Sequence, residues 1–125
     1  MQLTAWITLA ALFVYMWTFI NVGRARGRFK INAPVMEGPP EFLSVVRVHL
    51  NTLEQIPLFL VPLWMSAYFT GDRFAAICGA LWCVGRIMYA LGYYQDPAKR
   101  SPGFLVSSLA SIALILGTMY GLLMH

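Results

Sequence analysis

Charge is scarce in this chain. Only 11% of its 125 residues are Asp, Glu, Lys or Arg, and only five of those are acidic. Two long stretches, Leu3–Val22 and Phe104–Met124, hold no charge at all. Hydrophobic residues make up 59% of the sequence. A soluble domain of this size has too little interior to hide that much apolar surface, whereas a bilayer can hide it. Cysteine is as scarce as charge. Cys78 and Cys83 are the only two, and their i, i+5 spacing points them to different faces of an apolar helix. That excludes a disulfide framework and a cysteine metal site. The two histidines, His49 and His125, stand too far apart in the chain to suggest a metal pair, so no metal is expected. The formal charge of +4 comes from basic residues grouped between apolar runs. They do not resemble a nucleic-acid groove, and no nucleic-acid partner is expected.

What is present is a series of apolar runs. A spanning helix needs roughly 20 mostly apolar residues. Four such runs fill the chain: Leu3–Val22, Phe42–Phe69, Phe74–Tyr94 and Phe104–Met124. The expectation is an all-α integral membrane protein, a single four-helix transmembrane domain over residues 1–125. No Lys or Arg precedes the first run, and its length exceeds that of a signal-peptide core, so it reads as a retained helix. Pro34, Gly38, Pro39 and Pro40 mark a loop before the second run, and Glu41 suits the first turn of the helix that follows. Thr70–Arg73 reads as a tight turn and Gln95–Gly103 as a short loop. Pro57 and Pro62 are expected to bend the second helix.

Short turns make neighbouring spans antiparallel. The segments after spans one and three then share a side, and they carry Arg24, Arg26, Arg28, Lys30, Lys99 and Arg100. The opposite side has Arg73 alone. The positive-inside rule places the basic side in the cytoplasm.

Two polar stripes break the apolar pattern. Arg47, Asn51 and Glu54 follow i, i+4, i+7 on the second helix, and His49 lies off that stripe. Arg86, Tyr89 and Tyr93 follow i, i+3, i+7 on the third. Both fall in the half nearest the basic loops. A charged side chain in a spanning helix costs about 2.5–3.5 kcal/mol on insertion scales. These groups should therefore face protein or a wet cavity. Either Arg47, Glu54 and Arg86 pair with one another and hold helices together, or they line a pocket for an anionic ligand. Arg26, Arg47, Arg86 and Arg100 around one Glu54 leave such a pocket short of negative charge. A ligand with two carboxylates and one ammonium would supply it, and arginine's planar fork matches carboxylates.

At these residues the chain resembles the MAPEG family, the membrane-associated proteins of eicosanoid and glutathione metabolism. The likeness runs through Gly38-Pro39-Pro40-Glu41-Phe42, Arg47 to Glu54, Pro57 to Leu60, Arg86 to Tyr93, and Lys99-Arg100. It implies a four-helix bundle assembled as a homotrimer, with glutathione bound between protomers on the cytosolic side. It implies that Arg47 and Arg86 hold glutathione carboxylates or backbone, with Arg26 helping from a neighbouring protomer. Asn51 would bond the peptide, with His49 donating a further hydrogen bond or simply packing between helices. Glu54 would take the γ-glutamyl ammonium, and Tyr89 and Tyr93 would line the cavity near the cysteinyl part. Arg100 would be catalytic, stabilising the thiolate.

The sequence departs from close relatives at four positions. His49 stands where glutamine is common, Gln55 where tyrosine is common, Gly27 in place of a second arginine, and Ile112 where the leukotriene-forming branch has a tryptophan. The last two argue against a leukotriene-type substrate. The resemblance therefore implies a membrane-bound glutathione transferase or peroxidase of the microsomal kind. It would act on apolar lipid-like or xenobiotic substrates, from a bacterial inner membrane or the endoplasmic reticulum. The alternative is a non-catalytic lipid-binding or scaffold protein of the same fold. A small multidrug exporter of similar length would need a glutamate in its first helix, and none is there.

Overall fold

The computed structural model describes all 125 residues and contains four long helices. These are α1 (Gln2–Phe29), α2 (Pro40–Phe69), α3 (Asp72–Gln95) and α4 (Ser101–Leu123), with a short 3₁₀ turn at Pro97–Arg100 ahead of α4. They run up, down, up, down. α1, α3 and α4 are each long and apolar enough to cross a membrane. α2 is the longest, at 30 residues, and carries the polar stripe. It packs against α1, α3 and α4, so it belongs to the same bundle.

The elements follow from local chemistry. α1 extends beyond the apolar run and carries the basic segment with it, so Arg24, Arg26 and Arg28 are helical rather than in a loop. Nothing between Val22 and Phe29 breaks a helix strongly, and cations are favoured at a helix C-terminus. The helix stops at Lys30, which takes a left-handed conformation with φ 57° and donates its N–H to the Arg26 carbonyl. α2 starts at Pro40, where a proline lacks only an amide that the helix would leave unpaired. It continues unbroken through Pro57 and Pro62. At the far end of the bundle, the Asp72 carboxylate accepts hydrogen bonds from the Leu3 and Thr4 amides and from the Thr4 hydroxyl. An acid of α3 thus caps the start of α1 and fixes those two helix ends side by side.

The interior is built around Phe59 and Trp82, whose rings stack 4.0 Å apart, with Leu63 and Leu114 fully buried beside them. Both cysteines are free and buried in this layer. Outward, large apolar side chains such as Trp6, Phe13, Phe19, Leu58, Val61 and Leu116 are exposed all round, as expected where lipid is the solvent.

The α3–α4 contact sets the site. A Cβ at Gly103 would collide with the Tyr89 backbone, and one at Gly92 with the Lys99 carbonyl. Small residues let the two backbones approach this closely. As a result the start of α4 and the turn before it lie directly against Tyr89 and Tyr93.

Candidate functional site

At the basic end of the bundle, α2, α3 and the first part of α4 line an open cavity of about 1060 Å³. Arg47, Asn51 and Glu54 line it from α2, Tyr89 and Tyr93 from α3, and Arg100 from the turn before α4. Six of the residues singled out from the sequence therefore share one wall-to-wall space. A smaller cavity of about 530 Å³ adjoins it, shares Arg47, Leu50 and Tyr93, and reaches Met36 and Pro97.

Arg100 lies at the mouth. Its Nη1 donates to the Pro97 carbonyl at 2.7 Å, and its guanidinium stands 5.9 Å from the Tyr93 ring centroid. The turn that presents it is held by Asp96, whose carboxylate accepts the Ala98 amide at 3.0 Å. The segment expected as a plain loop is therefore a capped turn that fixes the arginine's position. The rings of Tyr89 and Tyr93 meet edge-on at 5.6 Å and form the inner wall.

Arg86 is placed differently from the expectation that it would touch the ligand. It is 1% exposed and lies behind the cavity wall. Its Nη2 donates to Asn51 Oδ1 at 2.8 Å and to Thr52 Oγ1 at 2.9 Å, and its Nη1 reaches Ser107 Oγ at 3.5 Å. The guanidinium also stacks over Tyr89, 4.2 Å from the ring centroid. These partners are neutral, so the direct ion pairing with Glu54 weighed above is not how Arg86 is held. Because a guanidinium only donates, it fixes the Asn51 amide with Oδ1 inward, leaving Nδ2 free to donate into the cavity. Glu54 is exposed and lines the cavity, the second of the two placements weighed for the charged groups.

Two further residues lie outside the cavity in this single chain: His49, and Arg26, which is expected to act from a neighbouring protomer. His49 does not line the cavity. It stacks on Tyr15 at 5.2 Å, tilts against Phe19 at 5.9 Å and meets Thr18 Oγ1 at 3.4 Å, all on α1. Its position two residues from Arg47 turns it to another side of α2. Arg26 is likewise elsewhere. It donates to the Val35 carbonyl at 2.7 Å, contacts Met36 Sδ at 3.5 Å, and pins the α1–α2 connection.

Several wall residues escaped the sequence reading. Ser101, Phe104, Leu105 and Ser108 line the cavity from α4. Their i, i+3, i+4, i+7 spacing is a helical face directly after Arg100, and that signal was present. Thr52 and Ser107 hold Arg86, but nothing in their spacing announces a contact between helices.

The cavity's lining has two guanidiniums and one carboxylate, with a third guanidinium close behind. It can take an anion that carries one cationic group, of up to small-peptide size. A four-helix membrane bundle with a cation-rich cavity at its basic end is the class these features define. The family model for the MAPEG family matches residues 4–120, and the chain belongs to that family. Leukotriene C4 synthase of Mus musculus is 33% identical over 123 residues, covering 98% of this chain and 82% of that protein. Microsomal glutathione S-transferase 2 of Mus musculus is 39% identical over 101 residues, covering 78% and 69%. An uncharacterized protein of Synechocystis sp. is 44% identical over 119 residues, covering 95% and 87%.

Proposed function

We propose that the cavity binds glutathione, holds its sulfur as a thiolate beside Arg100, and delivers it to apolar electrophiles or lipid hydroperoxides. The observation that carries this reading is the convergence of Arg47, Asn51, Glu54, Tyr89, Tyr93 and Arg100 on one cavity. Glutathione has two carboxylates, one ammonium and one thiol. Arg47 would take a carboxylate through its fork. Glu54 would take the ammonium, and the free Asn51 amide a peptide carbonyl. A guanidinium near the sulfur favours its ionised form, and the thiolate is the nucleophile. In conjugation the sulfur forms a bond to carbon while the bond to a leaving group breaks, or, in addition to a strained ring or activated alkene, the displaced electron pair stays on the product and takes up a proton. In hydroperoxide reduction the thiolate attacks the outer oxygen, the O–O bond breaks, the inner oxygen leaves and takes a proton as the alcohol, and a second glutathione displaces water from the resulting sulfenic acid to give the disulfide. Named relatives include a glutathione transferase and a leukotriene synthase, which supports this chemistry.

The basic end would face the cytoplasm, where glutathione is present, and apolar substrates would arrive through the bilayer. If Arg26 and His49 also hold this glutathione, they must come from a neighbouring copy. The homotrimer implied by the family supplies one.

The test is equilibrium binding of glutathione to the purified protein in detergent. Glu54→Gln should weaken it by roughly tenfold, the loss of one charge-assisted contact. It should leave binding of a glutathione analogue lacking the amino group unchanged. Equal affinity of glutathione for both proteins would remove Glu54 from the site.

A further inference from the structure

A second cavity, of about 640 Å³, opens at the basic end of the bundle and shares no residue with the first. Its polar lining is Asn21, Arg24 and Arg28 of α1, Glu41 of α2 and Tyr94 of α3, with Trp17 as its apolar floor. Trp17 is also a wall of an apolar groove of about 220 Å³ formed with Phe13, Val14 and Ile87. The two spaces adjoin at that ring.

The α1 residues of this surface form one stripe. Phe13, Trp17, Asn21, Arg24 and Arg28 are spaced by four, four, three and four, which is a single helix face. Over roughly 22 Å of helix the stripe passes from aromatic to amide to guanidinium. Hydrocarbon, then a hydrogen-bonding zone, then phosphate is the order of groups along a phospholipid. Trp17 and Tyr94 meet edge-on at 6.1 Å where the character changes, the level at which amphipathic rings sit in a bilayer. Asn21 Nδ2 donates to the Tyr94 phenol oxygen at 3.2 Å, so the phenol's own proton is left to donate to a ligand. Two guanidiniums face one carboxylate, Glu41, which leaves this cavity with an excess positive charge. Both arginine side chains are exposed, Arg28 with its guanidinium over the Phe29 ring at 4.6 Å, whereas Arg26 donates to the Val35 carbonyl. Phe13 and Ile87 are 67% and 39% exposed, so the groove is open to the lipid side.

We propose that this surface is a binding site for one acidic phospholipid. Its phosphate lies between Arg24 and Arg28 and its acyl chain lies against Phe13, Trp17 and Ile87. The arginine fork suits a phosphate, and the adjoining groove selects a ligand with a hydrocarbon chain over a soluble phosphate.

Trp17 provides the readout. Fluorescence of the intact protein in nanodiscs is followed with phosphatidylglycerol or phosphatidylcholine carrying bromine on the acyl chain. The Trp17 contribution is isolated by difference from Trp17→Phe. Phosphatidylglycerol should quench that contribution at a lower mole fraction than phosphatidylcholine. A basic residue near an anionic surface contributes about a fivefold preference, so the Arg24→Gln/Arg28→Gln variant should lose most of the selectivity with helical content unchanged. Glu41→Gln should shift it the other way, and this variant tests the idea even if the double variant fails to fold. Equal quenching by the two lipids would overturn the proposal, as would selectivity that survives in the double variant. Displacement of the brominated lipid by glycerol phosphate would make the ligand a soluble phosphate, and the lipid site would be wrong.

Discussion

Placing a guanidinium inside a membrane bundle costs about 2.5–3.5 kcal/mol on insertion scales, and Arg86 offsets this through Asn51, Thr52, Ser107 and the Tyr89 ring. Its effect on a ligand is indirect, because it orients Asn51 and Tyr89. Arg86→Lys keeps the charge but loses the fork, and lysine cannot serve all three oxygens from one place. The expected result is a higher KM for glutathione with kcat largely kept, together with a stability loss of about 1–3 kcal/mol from the buried partners left unpaired. Steady-state kinetics and thermal unfolding check both. An unchanged KM would deny Arg86 its positioning role. Much of the cavity was legible because Arg47, Asn51 and Glu54 keep helical periodicity within α2, and Tyr89 and Tyr93 within α3. Arg86 shares that periodicity, yet its burial depends on Thr52 and Ser107 of other helices, which no spacing reveals. His49 was legible as lying off the Arg47 stripe, but its packing against Tyr15, Thr18 and Phe19 of another helix was not.

At the scale of elements, the α3–α4 contact decides whether the cavity exists. Gly103 leaves no room for a methyl group against the Tyr89 backbone, while at Gly27 a Cβ would meet nothing within 4 Å. Gly103→Ala should therefore destabilise the bundle by about 1–3 kcal/mol and shift Phe104 and Arg100 away from Tyr89 and Tyr93. Gly27→Ala should be neutral or stabilising by about 0.5–1 kcal/mol, since it removes only backbone freedom. Thermal unfolding of the two variants side by side makes the comparison. Equal effects would mean that the helix contact is looser than described. The helices were legible in the sequence from their apolar runs and from the loop residues Pro34 to Pro39. Their ends were less so. A basic segment looks the same in composition whether it is helical or not, so the last turns of α1 read as part of a loop. The turn at Pro97–Arg100 depends on the Asp96 cap, a single hydrogen bond that composition does not encode.

At the scale of the whole molecule, the basic end gathers both cavities, while the far end is joined by Asp72 and the start of α1. Arg26 and His49 lie away from the first cavity, so under the proposed function they reach the ligand only from a neighbouring copy. An Arg26→Ala variant and an Arg47→Ala variant, each deficient alone, should complement when subunits are mixed. Random mixing in the proposed cyclic trimer leaves about one quarter of the sites with both arginines intact, so activity should return to that fraction. No recovery would place Arg26 outside the site or the site within one chain. The central claim, that the cavity ionises glutathione beside Arg100, is tested most directly by ultraviolet absorbance of the thiolate on titrating glutathione into the purified protein. The account predicts a saturable thiolate signal that Arg100→Ala abolishes, with turnover falling on the order of 10²-fold. No thiolate signal at millimolar glutathione, or a signal unchanged in Arg100→Ala, would contradict it.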